Sequence, residues 1–456
     1  MYRYPIFFYL AALTSPLAAS PVLNAANPLV DLSQFRVTTF ATGIDFPTSM
    51  ARLGDGSLLV GSTLPTQSFS GDSGYLNFYT GSGRLLRFTD TDANGVADGP
   101  AVVVASGLTG AITSVQTFGG IVAVATVGNA SNPNSTEGAI MFFRQGASPN
   151  DSYVSLGEVR FTYSTGALPT FALAVRETPG QPGKFDLAFA LPGSDHFGSD
   201  AGTVTATGLL SASLTPGSAW RTTVDPASGS FGLSSLTQVA SGVRTSAGII
   251  FDSNGDLLIT DNGFQSFSTG DQVSADELNR IAAASLNSST FLGYPNNYPD
   301  YTTGSLVGGA GQQALSAFIP LSGGGESRGV AGVAQSPFNF PPVLQGGYFV
   351  GFHGLWDEVG TANTVNPIYF VNPVTGEYSA FVTAGQSGFS KPDGLLASAE
   401  GLYIADMFTV RQFGASSGAL YLVARDTSSG SPVPEPSSLA MLVAALTCLR
   451  FSRPRS

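Results

Sequence analysis

The chain has 456 residues, 43% of them apolar and 11% charged, with 56 glycines and 28 prolines. That length can bury a large core, and the apolar share, with 32 phenylalanines, excludes a disordered chain despite the low charge. Nineteen basic against 31 acidic residues, with Lys184 and Lys391 the two lysines, leave no basic stripe to neutralise phosphates and exclude a nucleic-acid binder.

Cysteine and histidine narrow the chemistry further. The one cysteine, Cys448, lies in the last ten residues, so the folded body has no disulfide, zinc-thiolate site or cysteine nucleophile. The two histidines, His196 and His353, cannot make a three-histidine metal site, and a Ser-His-Asp triad would have to use one of them.

Residues 1–26 are expected to be a secretory signal peptide. Arg3 supplies the positive start and residues 6–13 the apolar core. Small residues at Ala18-Ala19 and Ala25-Ala26 offer two places for cleavage. The apolar run is far shorter than the roughly 20 residues that span a bilayer.

The body, residues 27–426, repeats one pattern: an apolar run, a Gly/Asp/Asn turn, a second apolar run. It occurs at 51–60, 114–124, 173–189, 247–259, 343–350 and 394–404. The fifth unit, Val343-Leu-Gln-Gly-Gly-Tyr-Phe-Val350, is the weakest. With Val60, Val124, Phe189, Ile259, Val350 and Ile404 as markers, the spacings are 64, 65, 70, 91 and 54. Such a period holds four strands and their loops. Radially repeated four-stranded sheets make a β-propeller, and six units predict six blades. The 91-residue gap predicts a long insertion at about 262–325, and Gly418-Ala-Leu-Tyr-Leu-Val423 closes the ring. Helical periodicity is nearly absent; one short candidate helix is Asp276 to Ala284. The expected fold is all-β, a six-bladed β-propeller.

In the first unit, Asp90-Thr-Asp92-Ala-Asn94-Gly95-Val-Ala-Asp98 has the oxygen ligands at positions 1, 3, 5 and 9, and the glycine at 6, of a calcium loop. Ala101 stands where the bidentate glutamate of a full EF-hand loop would be. Calcium on Asp90, Asp92, Asn94 and Asp98 is therefore one expectation, and a plain acidic hairpin the other.

The C-terminus is expected to be an address. After a Ser/Gly linker at 427–432 come Val433-Pro434-Glu435-Pro436, an apolar stretch from 439 to 449, and Arg450, Arg453 and Arg455. This layout over 433–456 resembles the PEP-CTERM sorting signal of Gram-negative bacteria. The resemblance implies recognition of the Pro-Glu-Pro motif by an exosortase, a short apolar helix as a transient membrane tether, a cell-envelope or extracellular-matrix destination, and an association with exopolysaccharide. Removing residues 1–26 and 437–456 leaves 15 basic and 31 acidic residues, a net charge of −16.

Three further stretches go beyond generic hairpins. They are Gly242-Val-Arg244 through Asp261-Asn-Gly263 followed by Asp276-Glu-Leu-Asn-Arg-Ile281; Gly351-Phe-His353-Gly-Leu-Trp356; and Lys391-Pro-Asp-Gly-Leu. In this order they resemble the glucose/sorbosone dehydrogenase family of soluble quinoprotein propellers. The resemblance implies oxidation of a sugar-like alcohol: a histidine base takes the hydroxyl proton, hydride passes to pyrroloquinoline quinone, and cations hold the cofactor's carboxylates. Carried onto this chain, it implies cofactor contacts from Arg244, Lys391, Asp261 and Asp276. The family's catalytic histidine is missing where it is expected, since the segment reads Leu168-Pro-Thr-Phe-Ala-Leu-Ala-Val175, and the asparagine expected after Arg244 is Thr245. His353 and His196 are the candidate substitutes, with Arg244 orienting cofactor or substrate. The alternative is a non-catalytic propeller that binds a sugar-like ligand or serves the matrix. A weaker third is a calcium-dependent, lactonase-like propeller.

Overall fold

The computed structural model describes residues 21–24, 29–65, 78, 81–128, 137–165, 170–193, 202–227, 231–266, 268, 271–309, 311–319, 329–353, 368–383, 391–407 and 416–426. The signal segment up to residue 20, the linker and the sorting segment lie outside these residues, as do His196 and Trp356.

Alternating apolar and small residues in short runs give strands, and the strands form six sheets arranged as the blades of a β-propeller. Blade one is Pro47–Arg52, Leu58–Leu64, Ser82–Phe88 and Val102–Thr109. Blade two begins with Ala111–Phe118 and carries two extra strands, Val204–Gly208 and Ala212–Leu214. Blade three begins with Ala172–Glu177. Blade four is Ile249–Phe251, Leu257–Asp261, Asp276–Ile281 and Ser316–Phe318. Blade five begins with Val330–Gln335 and gains the N-terminal pair Val22–Leu23 at its outer edge. Blade six begins with Pro392–Ala397 and is completed by two chain ends: Phe35–Ile44 pairs with Gly418–Arg425, Phe35 opposite Arg425. One early strand is thus hydrogen-bonded to the last, and the ring is closed without an open edge between its ends.

The core sits between blades. Ala172, Ala190, Val243, Ile249 and Ile259 pack blade three on blade four, and Leu258, Leu278, Phe318, Val330 and Tyr348 pack blade four on blade five. Around the channel the inner strands meet in two ways. In blades one to three hydroxyls bridge them: Val115 N–H donates to Ser49 Oγ at 2.9 Å and Leu173 N–H to Ser114 Oγ at 3.1 Å. In blades four to six glycine lets backbones touch. A Cβ at Gly248, Gly332 or Gly394 would fall within 3.0 Å of the neighbouring carbonyl at Ala331, Asp393 or Thr48.

Two expectations need correction. Asp276–Ile281 is a strand, paired with Leu257–Asp261 on one side and Ser316–Phe318 on the other, and only Ala283–Ser285 turns, as a 3-10 helix. Both of its neighbours offer free ladder groups, and a strand satisfies them where a helix would not. In the fifth unit, Val343 and Leu344 form a 3-10 turn, and Tyr348–Phe352 pairs with Val330–Gln335 instead. The inner strand lies upstream, and the long Pro/Phe connection from Ser336 to Leu344 separates it from Tyr348–Phe352 where the other units have a tight turn. The predicted insertion is present. After Asp276–Ile281 the chain adds Thr290–Phe291 in parallel to blade three, then a hairpin of Tyr298–Pro299 with Leu306–Val307, before Ser316–Phe318 completes blade four.

Candidate functional site

Register shows which residues of different blades hold the same place. Ile259, Val350 and Ile404 lie opposite Ile249, Val333 and Leu395 on their inner strands. Three residues further along in each case, Asn262, His353 and Met407 donate their N–H groups to the carbonyls of Thr245, Gly329 and Lys391. Arg244, Asp261, His353 and Lys391 therefore gather at one end of the ring, where the inner strands begin.

In blade four this end is built on buried carboxyls. Asp261 accepts N–H bonds from Arg244 (2.9 Å) and Thr245 (2.8 Å), which fixes the entry to the inner strand. Asp406 does the same for Lys391 N–H at 2.8 Å in blade six. Asp276 accepts from Gly263 (2.7 Å) and, across the blade boundary, from Val330 (2.9 Å). Burial raises Asp261 to about 7 and Asp276 to about 6, against the pull of these N–H groups and of the Arg244 guanidinium.

Glu277 was not singled out by sequence. The residue is 8% exposed, and among the described residues its one hydrogen-bond partner is Asn279, whose Nδ2 donates to Oε2 at 2.8 Å. Burial, with the nearby Asp261 and Asp276 carboxyls, pushes it up to about 8, so it carries a proton at neutral pH. Strand alternation puts Glu277 and Asn279 on the face opposite Asp276. Glu277 lines a small, partly solvent-open cleft that Arg244, Asp261, Asn262, Phe264, Asn297 and Tyr298 also line. The insertion supplies Tyr294, Asn297 and Tyr298, and the Phe264 ring meets Tyr298 edge-on at 4.8 Å. The signal for Glu277 lay in the Asp-Glu-Leu-Asn run, but a helical reading groups 276 with 279 and 280 and hides the face that Glu277 and Asn279 share.

In blades five and six, His353 Nδ1 lies 2.6 Å from Asp393 Oδ1. Burial lowers the His353 pKa, with Asp393 opposing and the Lys391 charge adding to the shift. Lys391 has no exposed surface. The two groups of residues touch through backbone: Gly329 carbonyl accepts His353 N–H at 2.6 Å, while the next N–H, of Val330, goes to Asp276.

The Asp90 loop lies at the other end of blade one. Leu64 pairs with Ser82 at the Arg244 end of the ring and Leu58 with Phe88 at the far end, so the turn after Phe88 faces away from the pocket. Ligand oxygens of Asp90, Asp92 and Asp98 lie within 4.8 Å of one another. Burial and the Asp92 charge raise Asp90. Asn94 Oδ1 accepts from Val96 N–H at 2.7 Å, and its amide donates to Asp92. Three carboxylates with no cation among their partners in the loop suit a hard divalent ion such as calcium.

No protein-family model matches the chain, and no curated protein matches it. Solved structures do. The holo form of the PQQ domain of Coprinopsis cinerea pyranose dehydrogenase aligns at 15% identity over 90% of this chain and 98% of that one, TM-score 0.54. The calcium structure of a Trichoderma reesei carbohydrate-active enzyme of family AA12 aligns at 15% identity over 90% and 98%, TM-score 0.52. The expected resemblance thus holds for the fold: the chain is a six-bladed propeller with the architecture of the soluble quinoprotein sugar dehydrogenases.

Proposed function

We propose that this chain is an exported sugar-binding propeller, sorted to the envelope or matrix of a Gram-negative bacterium by an exosortase, whose ligand is a sugar ring, free or at the end of an exopolysaccharide. One observation carries the binding assignment: the blade-four cleft, where the rings of Phe264 and Tyr298 stand beside the polar groups of Arg244, Glu277 and Asn297. Aromatic faces for a sugar's C–H surface and a few fixed polar groups for its hydroxyls are what such a ligand requires. The name of the Coprinopsis neighbour, a pyranose dehydrogenase, agrees in ligand class. Calcium at Asp90, Asp92 and Asp98 would brace blade one, remote from the pocket.

The described residues do not fit pyrroloquinoline quinone. Its carboxylates need cations, yet the Arg244 charge sits against Asp261 and Asp276, Lys391 has no exposed surface, and the pocket itself carries Asp261 and Glu277. Thr170 Oγ1, in the segment where the family's histidine is expected, is hydrogen-bonded to Thr245 Oγ1. A second reading, oxidation of the bound alcohol, is favoured by the His353–Asp393 pair, which has the form of an oriented base.

Calorimetry of the mature chain with neutral monosaccharides tests the assignment, alongside a dye-linked oxidation assay with calcium and pyrroloquinoline quinone. Sugar binding that is lost in Tyr298→Ala, with no quinone-dependent turnover, is the expected result. Quinone binding with turnover that is lost in His353→Ala would replace it with the second reading.

A further inference from the structure

We propose that the end of the ring opposite Arg244 and His353 is a docking face for the lipid bilayer that holds the sorting segment, so that the tethered chain sits far end down with its site turned outward. This rests on the export and sorting reading above and adds an orientation and a lipid contact that neither the fold nor a sorting signal implies.

The exit of the chain comes first. The closing strand starts at the site end, where Ala419 pairs with Asp406. It runs to the far end, where Arg425 lies opposite Phe35 and Asp426 N–H donates to the Gln34 carbonyl at 2.6 Å. From there twelve residues, 427–438, lead to the apolar stretch at 439–449. Twelve residues reach about 40 Å at most. The eight residues of Gly418–Arg425 are about 26 Å long, at about 3.3 Å per residue. With the far end down the reach is ample. With the site end down the chain would first have to climb the ring, which consumes most of it.

Surface chemistry comes second. Among the described residues, the four most exposed large apolar side chains all stand at the far end: Val374 at 85%, Phe338 at 75%, Leu29 at 74% and Val154 at 61%. Val374 lies in the turn between Ile368–Val371 and Tyr378–Thr383, and Phe338 follows Val330–Gln335, both at the foot of blade five. Leu29 precedes Val30, which packs with Phe35 and Phe340 where blades five and six meet. Val154 lies opposite Arg144 at the foot of blade two. Single exposed apolar residues are ordinary on a surface. Here they share one end, and three of the four surround the place where the chain leaves it. The segment that presents Phe338 is tied to the closing strand itself: Arg425 Nη1 donates to the Asn339 carbonyl at 3.3 Å, and Asn339 Nδ2 to the Ala399 carbonyl at 2.9 Å.

Charge comes third. Asp31, Asp92 and Asp98 are exposed at the same end, so anionic headgroups are disfavoured and a zwitterionic surface is preferred. Apolar tips alone bind such a surface weakly, and the tether raises their occupancy by holding the face at the bilayer.

The test uses the chain with its sorting segment and Cys448→Ser, added to vesicles of phosphatidylcholine and phosphatidylethanolamine. An environment-sensitive dye is placed on Phe338→Cys or Val374→Cys, and on Leu306→Cys in the insertion hairpin beside the site as the control. Flotation reports the tether, and quenching by lipids brominated on the acyl chain reports contact. The expected result is quenching at least about threefold stronger at the first two positions than at the third, weakening in vesicles enriched in phosphatidylglycerol. Phe338→Asp with Val374→Asp, both exposed positions, should keep flotation and release a dye on Leu29→Cys from the quencher. Equal quenching at both ends, or none at either in a chain that floats, overturns the docking face and leaves the sorting reading intact. A chain that does not float overturns the tether, and the docking face with it. A dye shift that needs no vesicles and grows with protein concentration means that a second copy covers this end, and also overturns the proposal.

Discussion

Asp276 and Glu277, neighbours in one strand, send their carboxyls to opposite sides of it. Asp276 accepts the Val330 N–H of blade five at 2.9 Å, while Glu277 is tied to Asn279 and opens onto the pocket. The difference in role follows from strand alternation and gives the first prediction. Asp276→Ala orphans the N–H groups of Gly263 and Val330 and should cost about 2–6 kcal/mol, at about 1–3 kcal/mol for each. Glu277→Gln should change stability by less than about 1 kcal/mol, because Asn279 keeps an acceptor. Urea unfolding of the two variants measures both values, and equal losses would contradict the division of labour.

The buried acids set the pH dependence of stability. Glu277 at about 8, Asp261 at about 7 and Asp276 at about 6 all hold protons that the unfolded chain has released above the ordinary carboxylate range. Stability from these groups is therefore full below the ordinary carboxylate range, declines as pH rises from about 4 to about 8, and is flat above. His353 acts oppositely: buried with a lowered pKa, it costs stability once the unfolded state protonates below pH 6.5. The difference between the urea midpoints of the parent chain and Glu277→Gln, followed from pH 5 to pH 9, isolates Glu277. It should show the parent losing more stability toward pH 9, and a parent that gains would refute the assignment of a raised pKa.

The glycine contacts of the inner ring should be intolerant. Gly332→Ala drives a Cβ against the Asp393 carbonyl, next to the acid that holds His353. The expected loss is about 1–3 kcal/mol or more, since backbone rather than a flexible side chain must move. Gly309→Ala, which meets nothing, is the control. Thermal melts of both variants provide the comparison.

Calcium should stabilise the chain through the Asp90 loop without touching the pocket. For a Kd of about 10⁻⁴–10⁻³ M, about 10 mM calcium adds about 1.4–2.7 kcal/mol. Asp92→Asn should abolish the calcium-dependent rise in Tm and leave sugar affinity unchanged. A rise that survives in Asp92→Asn places the ion elsewhere.

The N-terminal strand bears on processing. Val22 and Leu23 pair with Thr383 and Val382, and Asn24 N–H donates to the Phe381 carbonyl at 2.8 Å. Cleavage at Ala25-Ala26 would remove that strand, whereas cleavage at Ala18-Ala19 keeps it. If the chain is exported as proposed, mass spectrometry of the processed protein should find a mature N-terminus close to Ser20; one close to Asn27 would show that blade five functions without the strand.

Much of the ring was legible in sequence because the tight turn between a blade's first two strands forces glycine and acid residues into a recognisable spot. Asp252 to Asp256 is the clearest case: Gly255 at φ +81° turns the chain while the Asp252 carboxylate accepts the N–H groups of Asn254 and Asp256. The fifth blade hid because its inner strand and its second strand are separated by a 3-10 turn at Pro342–Leu344, where no tight turn is needed. The site was legible only in part. Arg244 and Asp261 stand in the stretches that carry the family resemblance, and both reach the site. Phe264 follows the second strand of blade four, and Tyr294 and Tyr298 reach the pocket through an insertion whose path only tertiary contacts define, such as Tyr294 N–H on the Gly242 carbonyl.

The most direct test of the account is a crystal structure of the mature chain soaked with a neutral hexose. The account predicts one sugar ring in the blade-four pocket, on the Tyr298 and Phe264 side chains and within hydrogen-bond reach of Glu277. A pocket that stays empty while the sugar occupies the His353–Lys391 end of the channel would contradict it.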